Sequence, residues 1–270
     1  MFILALEEPE SHLHPSAIRA LWSTLDNLRG QKLIATHSGD LLSAVPLTAI
    51  RRLARRDGKV EVFRVKAGTL DERETTKVGY HVRAERGALL FARCWLLVEG
   101  KTEFTLLPEL ARLLGHDFEQ AGVRCVEYVH CYPTPLIKLA KELGIEWHLL
   151  ADGDAKGLEY SNTADGLRGG APVADRITTI AEPDIEHCLW HGGYSAVYEN
   201  AVDAVRRKAM VVAPAGTPEY IKQVIEAAKR SKPDIVYLVI AEASKAKPPV
   251  IPKQLELAIA TAMTLARKST

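Results

Sequence analysis

The sequence predicts an α/β fold, a parallel sheet with helices on both faces, and two observations carry that prediction. The first is an order of runs. Cys94-Trp-Leu-Leu-Val98 is an apolar stretch that ends on Glu99-Gly100 and turns at once into a helical pattern carrying Glu103, and further apolar runs at 124–129 and 147–151 alternate with helical segments. A β-α-β-α-β order marks a parallel sheet joined by right-handed crossovers. The second is where acids fall. The third run stops on Asp152-Gly-Asp154, and residues two apart at a strand end point to one side. Glu99, Glu103, Asp152 and Asp154 are therefore expected to face one small volume. Carboxylates of like charge are costly to gather without a counter-ion, so the cluster points to a hard divalent cation.

Composition narrows the function classes. The 270 residues suffice for a sizeable core in one or two domains. With 35 basic and 34 acidic residues the net charge is +1, so nucleic-acid binding would have to come from local patches such as Arg51-Arg52-Arg55-Arg56 or Arg206-Arg207-Lys208. Cys94, Cys125, Cys131 and Cys188 show no CxxC spacing and read as reduced core thiols. His130-Cys131 and His187-Cys188 lack zinc-finger spacing. The apolar start, Met-Phe-Ile-Leu-Ala-Leu, is too short for a signal peptide and no run of about 18 apolar residues exists, so the expected location is cytoplasmic and off the membrane.

Taken in order, residues 2–6 form a strand ending on Glu7-Glu8-Pro9-Glu10, an amphipathic helix follows through Ile18, Leu21, Leu25 and Leu28 to Gly30, and Lys32–His37 is a second strand. A strand without an earlier partner leads to the expectation that the chain begins inside a larger domain. Arg51–Arg56 reads as a basic helical turn, Val60–Val65 as a strand, and the polar run from Lys66 to Lys77 as a linker leading into a helix. After the Glu103 helix, closed by Gly115, and the strand at 124–129, a helix from Pro135 to Leu143 is closed by Gly144. Residues 157–172, rich in Gly, Asn and Asp, read as a loop beside the site. Arg176–Ile180 reads as a strand that adds Glu182, Asp184 and Glu186 at the same sheet edge. A helical section runs from about Tyr194 to Lys229. Ile235–Ile240 reads as the last strand, although a buried helix also fits, and a prolyl loop and an apolar helix end the chain.

Two family resemblances follow from these residues. Glu7-Glu8, the loop Glu8-Pro-Glu-Ser-His-Leu-His-Pro15 and His37 after the next strand resemble the C-terminal half of an ABC-type ATPase. That resemblance implies that Glu7 helps hold magnesium, Glu8 orients the attacking water and His37 senses the terminal phosphate. The first acid is Glu where that family usually has Asp. Gly100-Lys101-Thr102 mimics the end of a phosphate-cradling GxxxxGK[ST] loop, but Trp95 stands where its first glycine belongs. No autonomous ATPase activity is expected, and ATP would act only in a longer parent, whose ATPase part would form a homodimer.

Glu99-Gly100, Glu103 and Asp152-Gly-Asp154 resemble the Toprim domain of topoisomerases, primases and certain nucleases, over about residues 93–190. An ABC ATPase half followed by a Toprim domain resembles the plan of the overcoming-lysogenization-defect (OLD) family nucleases. The division this implies is 1–66 ATPase fragment, 67–92 linker and helix, 93–190 Toprim core, 191–232 helical insertion, and 233–270 last core strand and C-terminal helix. The resemblance implies a DNA endonuclease using two Mg2+ or Mn2+ ions, one activating water and one stabilising the leaving oxygen, roughly 3.5–4 Å apart. By the same resemblance Glu99, Glu103, Asp152, Asp154, Asp184 and Glu186 are the metal ligands, with Asp152 bridging. A lysine after the last strand, Lys247 or alternatively Lys245, neutralises charge on the phosphate. The competing readings are another Toprim chemistry, topoisomerase- or primase-like, and a non-catalytic ATPase-linked DNA-repair or regulatory module. Tyr80, Tyr128 and Tyr160 carry no surrounding motif for a topoisomerase nucleophile.

Overall fold

The computed structural model of the protein describes residues 2–56, 58–85, 87–210, 213–232 and 234–268. Its chain begins with strand β1 (Ile3–Glu7), helix α1 (Pro15–Asn27), strand β2 (Gln31–Ala35) and helix α2 (Gly39–Ala44). β1 and β2 pair in parallel, from Ile3 opposite Gln31 to Glu7 opposite Ala35. Strands β3 (Arg52–Arg56) and β4 (Lys59–Phe63) then form an antiparallel hairpin, and helix α3 (Glu72–Ala84) follows, started by a capping box between Asp71 and Glu74.

The main sheet comprises β5 (Cys94–Val98), β6 (Val123–Glu127), β7 (Glu146–Ala151) and β8 (Ile177–Thr179), all parallel, in the order β6-β5-β7-β8. Helices α4 (Lys101–Leu113), α5 (Phe118–Ala121), α6 (Pro133–Glu142), α7 (Ala155–Leu167) and α8 (Val173–Arg176) make the crossovers. β5 is buried along its whole length because both its faces are covered. Cys94, Leu96 and Val98 pack with Leu106, Leu107 and Leu110 of α4 and with helix α14 (Lys253–Lys268), through Leu255, Ile259 and Ala262. Trp95 and Leu97 pack on the opposite face with Leu136, Ile137 and Leu139 of α6 and Val78 and Val82 of α3. The chain moves outward from β5 to β6 and then crosses back to β7, so the carboxyl ends of β5 and β7 flank a topological switch point, where open α/β sheets place ligands.

Helices α9 (Ile185–Leu189), α10 (Ser195–Ala201), α11 (Ala204–Ala209), α12 (Pro218–Ser231) and α13 (Ile235–Ala243) extend the first of these two core layers through Tyr198, Val224, Ile225 and Val239.

The structure corrects three sequence expectations. Residues 52–56 are the strand β3 rather than a helical turn: Arg52 points inward and donates to the carbonyls of Leu143, Gly144 and Ala92, which satisfies carbonyls left open at the ends of other elements. Most of 157–172 is helix α7 rather than loop, because Asp154 caps it and Gly157 lets its first turn sit against the Asp152 backbone. Ile235–Ile240 lies in helix α13, where Ile235, Val239 and Ala243 are buried at helical spacing while Tyr237 and Leu238 are exposed. The segment carrying Lys245 and Lys247 therefore follows a helix, not a strand.

Candidate active site

The acids gather at the carboxyl edge of the main sheet by four local devices. Glu99 follows the last residue of β5, and Gly100 is the residue before α4, which places Glu103 in the first helical turn. Glu103 is only 5% exposed. Asp152 follows β7, and Asp154 caps α7, its Oδ1 accepting from the Gly157 amide at 2.7 Å. Asp184 caps α9, its Oδ1 accepting from the His187 amide at 2.8 Å and lying 2.6 Å from the His187 Nδ1. Glu186, in that helix's first turn, is buried and pairs with Lys229 of α12, Nζ to Oε1 at 2.7 Å.

Two glycines make the convergence possible. A Cβ on Gly153 would lie 2.5 Å from the Glu182 carbonyl oxygen and 2.6 Å from that of Ile180, while the Gly153 amide donates to the Glu182 carbonyl at 2.9 Å. A Cβ on Gly157 would lie 2.0 Å from the Asp152 carbonyl oxygen. Both turns are held so close that only glycine fits.

The electrostatics show how costly the arrangement is when its carboxyls ionise. Burial, followed by the charges of Glu103, Glu99, Asp184 and Glu186, raises the Asp152 carboxyl to about 8. Burial also dominates at Glu103, which is pushed up to about 8 with Glu186 and Glu99 adding to it. Glu99 is raised by burial and then by Asp154 and Asp184. Its Oε2 is buried without a hydrogen-bond partner, as is the Oε2 of Glu182 nearby in the chain. Among the described residues no group of three or more His, Cys, Asp or Glu is already drawn into a metal-holding cage. The donor chemistry nevertheless fits a hard divalent cation: the cluster offers carboxylate oxygens, one of them buried and unpartnered, and the burial and mutual repulsion that raise Asp152 and Glu103 are what such an ion offsets.

The sequence-predicted acids Glu99, Glu103, Asp152, Asp184 and Glu186 thus share one electrostatic neighbourhood, and Asp154 joins it through Glu99. The two proposed lysines stand differently: Lys245 pairs with Glu242 at 2.7 Å, while Lys247 is exposed and makes no ion pair among the described residues. Lys229 was not visible from sequence; it sits on an amphipathic surface helix far along the chain, and no motif marks it. At the other sheet, Glu8 and His37 meet, the His37 Nδ1 lying 2.6 Å from the Glu8 Oε1, and Glu7 ends β1 beside them. Glu10, buried in the same loop, accepts from the Thr36 hydroxyl.

Comparison with known proteins bears on this geometry. Residues 90–154, which hold β5, β7, Glu99, Glu103, Asp152 and Asp154, match the family model described as overcoming lysogenization defect protein-like, Toprim domain. Residues 90–154 are thus similar to an OLD-like Toprim domain. Residues 2–88 match the model of a protein family of unknown function, DUF2813. The uncharacterized protein YbjD of Escherichia coli (strain K12) is 34% identical over 98% of the chain, which spans 47% of that protein. The Old nuclease of Escherichia phage P2 is 28% identical over 56% of the chain and 28% of its own length. The chain thus spans about half the length, or less, of these curated relatives. The C-terminal region of the Burkholderia pseudomallei OLD protein superposes with a TM-score of 0.50 at 15% identity, covering 65% of this chain and 99% of that one, a likeness of fold. No helix among the described residues is long and apolar enough to cross a membrane.

Proposed function

We propose that this chain is the nuclease portion of a DNA endonuclease that hydrolyses phosphodiester bonds at the Toprim acid cluster with two Mg2+ or Mn2+ ions, in the cytoplasm. In a longer parent it would be coupled to an ABC-type ATPase to which residues 1–66 contribute Glu7, Glu8 and His37, with ATP and homodimerisation belonging to that part. The observation that carries the reading is the convergence of Glu99, Glu103, Asp152, Asp184 and Glu186 at the switch point of a Toprim sheet. The Old nuclease of phage P2 among the relatives supports it.

When bound, divalent ions supply Lewis-acid stabilisation of the phosphate and lower the pKa of the attacking water. Asp152 is raised, after burial, by Glu103, Glu99, Asp184 and Glu186 together, and would be the ligand shared by the ions. Glu103 would act with Glu186 and Glu99, and Glu99 in turn with Asp154 and Asp184, in holding the ions. Asp154 and Asp184 each commit one oxygen to a helix cap, which fixes the orientation of the other. Lys247, which makes no ion pair among the described residues, would be the lysine that meets a phosphate oxygen, since Lys245 is engaged by Glu242.

The test is supercoiled plasmid incubated with the chain and Mg2+ or Mn2+ beside a folded Asp152→Ala variant. Nicking that vanishes in the variant is expected. Nicking that persists in the variant, or inertness of the folded chain with both metals, overturns the reading of this chain as a nuclease in its own right. Topoisomer ladders would instead identify strand transfer.

A further inference from the structure

Beside the acid cluster lies a cleft of about 390 Å3 that the hydrolytic mechanism does not use. Arg73, Glu74 and Lys77 of α3 form one wall, Cys131, Tyr132 and the start of α6 another, and Lys156, Glu159, Tyr160 and Thr163 of α7 the third. Both sheet-derived walls continue directly from acid-bearing elements. Asp154 caps the helix that carries Lys156 and Tyr160, and the segment leading to Tyr132 is tied to the first acid by the Val129 amide, which donates to the Glu99 carbonyl at 3.2 Å.

The lining has the chemistry of a base-stacking site with a cationic rim. Tyr132 and Tyr160 stand with ring centroids 6.3 Å apart, and Tyr160 is held from behind by the buried Tyr128, edge to face at 5.3 Å. Tyr132 is 46% exposed, on a backbone with φ of +66° and ψ of 158° that favours glycine. Lys77 lies 4.4 Å from the centre of the Tyr132 ring and Lys156 4.9 Å from that of Tyr160. The acids of the cleft are already matched, Glu74 by Lys138 and Glu159 by Lys156, while Arg73 and Lys77 make no ion pair among the described residues. A π-face, an adjacent cation without a carboxylate and a wall, through Tyr160, within electrostatic reach of Glu99 together suit a base with its phosphate.

The geometry points to this cleft as a subsite for unpaired nucleotides of the DNA strand that leads into the acid cluster, with Tyr132 as the stacking platform and Arg73 and Lys77 as phosphate contacts. This inference rests on the nuclease reading for its orientation, but it is tested without cleavage. A duplex end keeps its bases stacked on one another, so the site selects frayed, flapped or single-stranded substrate.

The experiment is fluorescence anisotropy of a labelled oligothymidylate and of a blunt duplex of equal length, bound to the full chain in chelator. Tyr132→Gly removes the ring while relaxing the backbone, so folding is not at risk, and Tyr132→Phe keeps the ring. Expected are preference for the single strand, a loss of about tenfold in its affinity for Tyr132→Gly, retention in Tyr132→Phe, and a shallower salt dependence in Lys77→Gln. Equal single-strand affinity of Tyr132→Gly and the unaltered chain, or preference for the duplex, would overturn the inference even if plasmid nicking stands. Competition by thymidine monophosphate at oligonucleotide-like concentrations would also overturn it, since that marks a mononucleotide pocket. If the oligothymidylate result holds while nicking fails, the subsite stands and the nuclease reading falls.

Discussion

Raising the pH in the absence of metal should destabilise this protein, and the structure gives the size of the effect. Glu103 is buried and its carboxyl ionises near 8 in the folded state, as does that of Asp152, because burial and neighbouring acids disfavour the charged forms. In the unfolded chain both ionise in the ordinary carboxylate range. Between the two values the folded protein holds protons that the unfolded chain has released, so stability is fully present at low pH and is lost as pH rises through the folded value. From about pH 6.5 to about pH 8.5, one carboxyl of this kind loses about 2 kcal/mol of folding stability. Asp152 and Glu103 repel each other and do not titrate independently, so the pair should cost roughly 2–4 kcal/mol over that window. The window is chosen to avoid opposing groups. His148 is pushed down to about 4 by burial, so it favours unfolding as pH falls into the ordinary imidazole range, whereas the buried thiols, pushed up by burial, add a loss of the same sign toward the top of the window, which comparison with a carboxyl variant cancels. The assay is urea unfolding in chelator at several pH values, for the unaltered chain and for Asp152→Asn. Stability should fall across the window and fall less in the variant, and Mg2+ should flatten the slope. A flat or rising profile in chelator would refute the electrostatic account of the cluster.

Three further outcomes follow from specific contacts. Gly157→Ala places a methyl 2.0 Å from the Asp152 carbonyl oxygen; the turn must open, and calorimetry should show a lower Tm with weakened Mn2+ binding, by about 1–3 kcal/mol in stability. Lys229→Ala leaves Glu186 buried without its cation. Since Lys229 is half exposed, the loss in chelator should be about 1–2 kcal/mol by urea titration and should shrink when Mg2+ is added. Arg52→Ala removes donors from the carbonyls of Ala92, Leu143 and Gly144 and should cost about 1–3 kcal/mol, with faster amide exchange in the β3–β4 hairpin.

What was legible in the sequence depended on whether the signal was local. The wholly apolar Cys94–Val98, stopping on an acid and a glycine, could only be a strand covered on both sides, and the Asp152-Gly-Asp154 spacing located the edge where the acids meet. Asp154 and Asp184, expected among the metal ligands, cap α7 and α9, so their place in the sequence also has a local structural cause. The misread segments took their structure from distant partners. Gly157 and Gly166 look like turn residues, yet Gly157 sits in α7 because Asp152 backbone crowds it. Arg52 and Arg56 imitate a basic helix, but as strand residues they reach carbonyls contributed by the end of α6. The β-branched Ile235–Ile240 favours a strand by composition, whereas its burial repeats at helical spacing. Lys229 could not have been found, because only tertiary folding brings α12 to Glu186. The cleft of Tyr132 and Tyr160 was hidden for the same reason, since its cations come from α3.

The central claim is that the acids at the Toprim sheet edge form a divalent-ion site. It is tested most directly by titrating the chain with Mn2+ and following the free ion by electron paramagnetic resonance, beside Asp152→Asn. The account predicts a pair of bound ions per unaltered chain, with loss of at least one of them in the variant. Absence of bound Mn2+ on the folded chain, or identical binding by the variant, would contradict it.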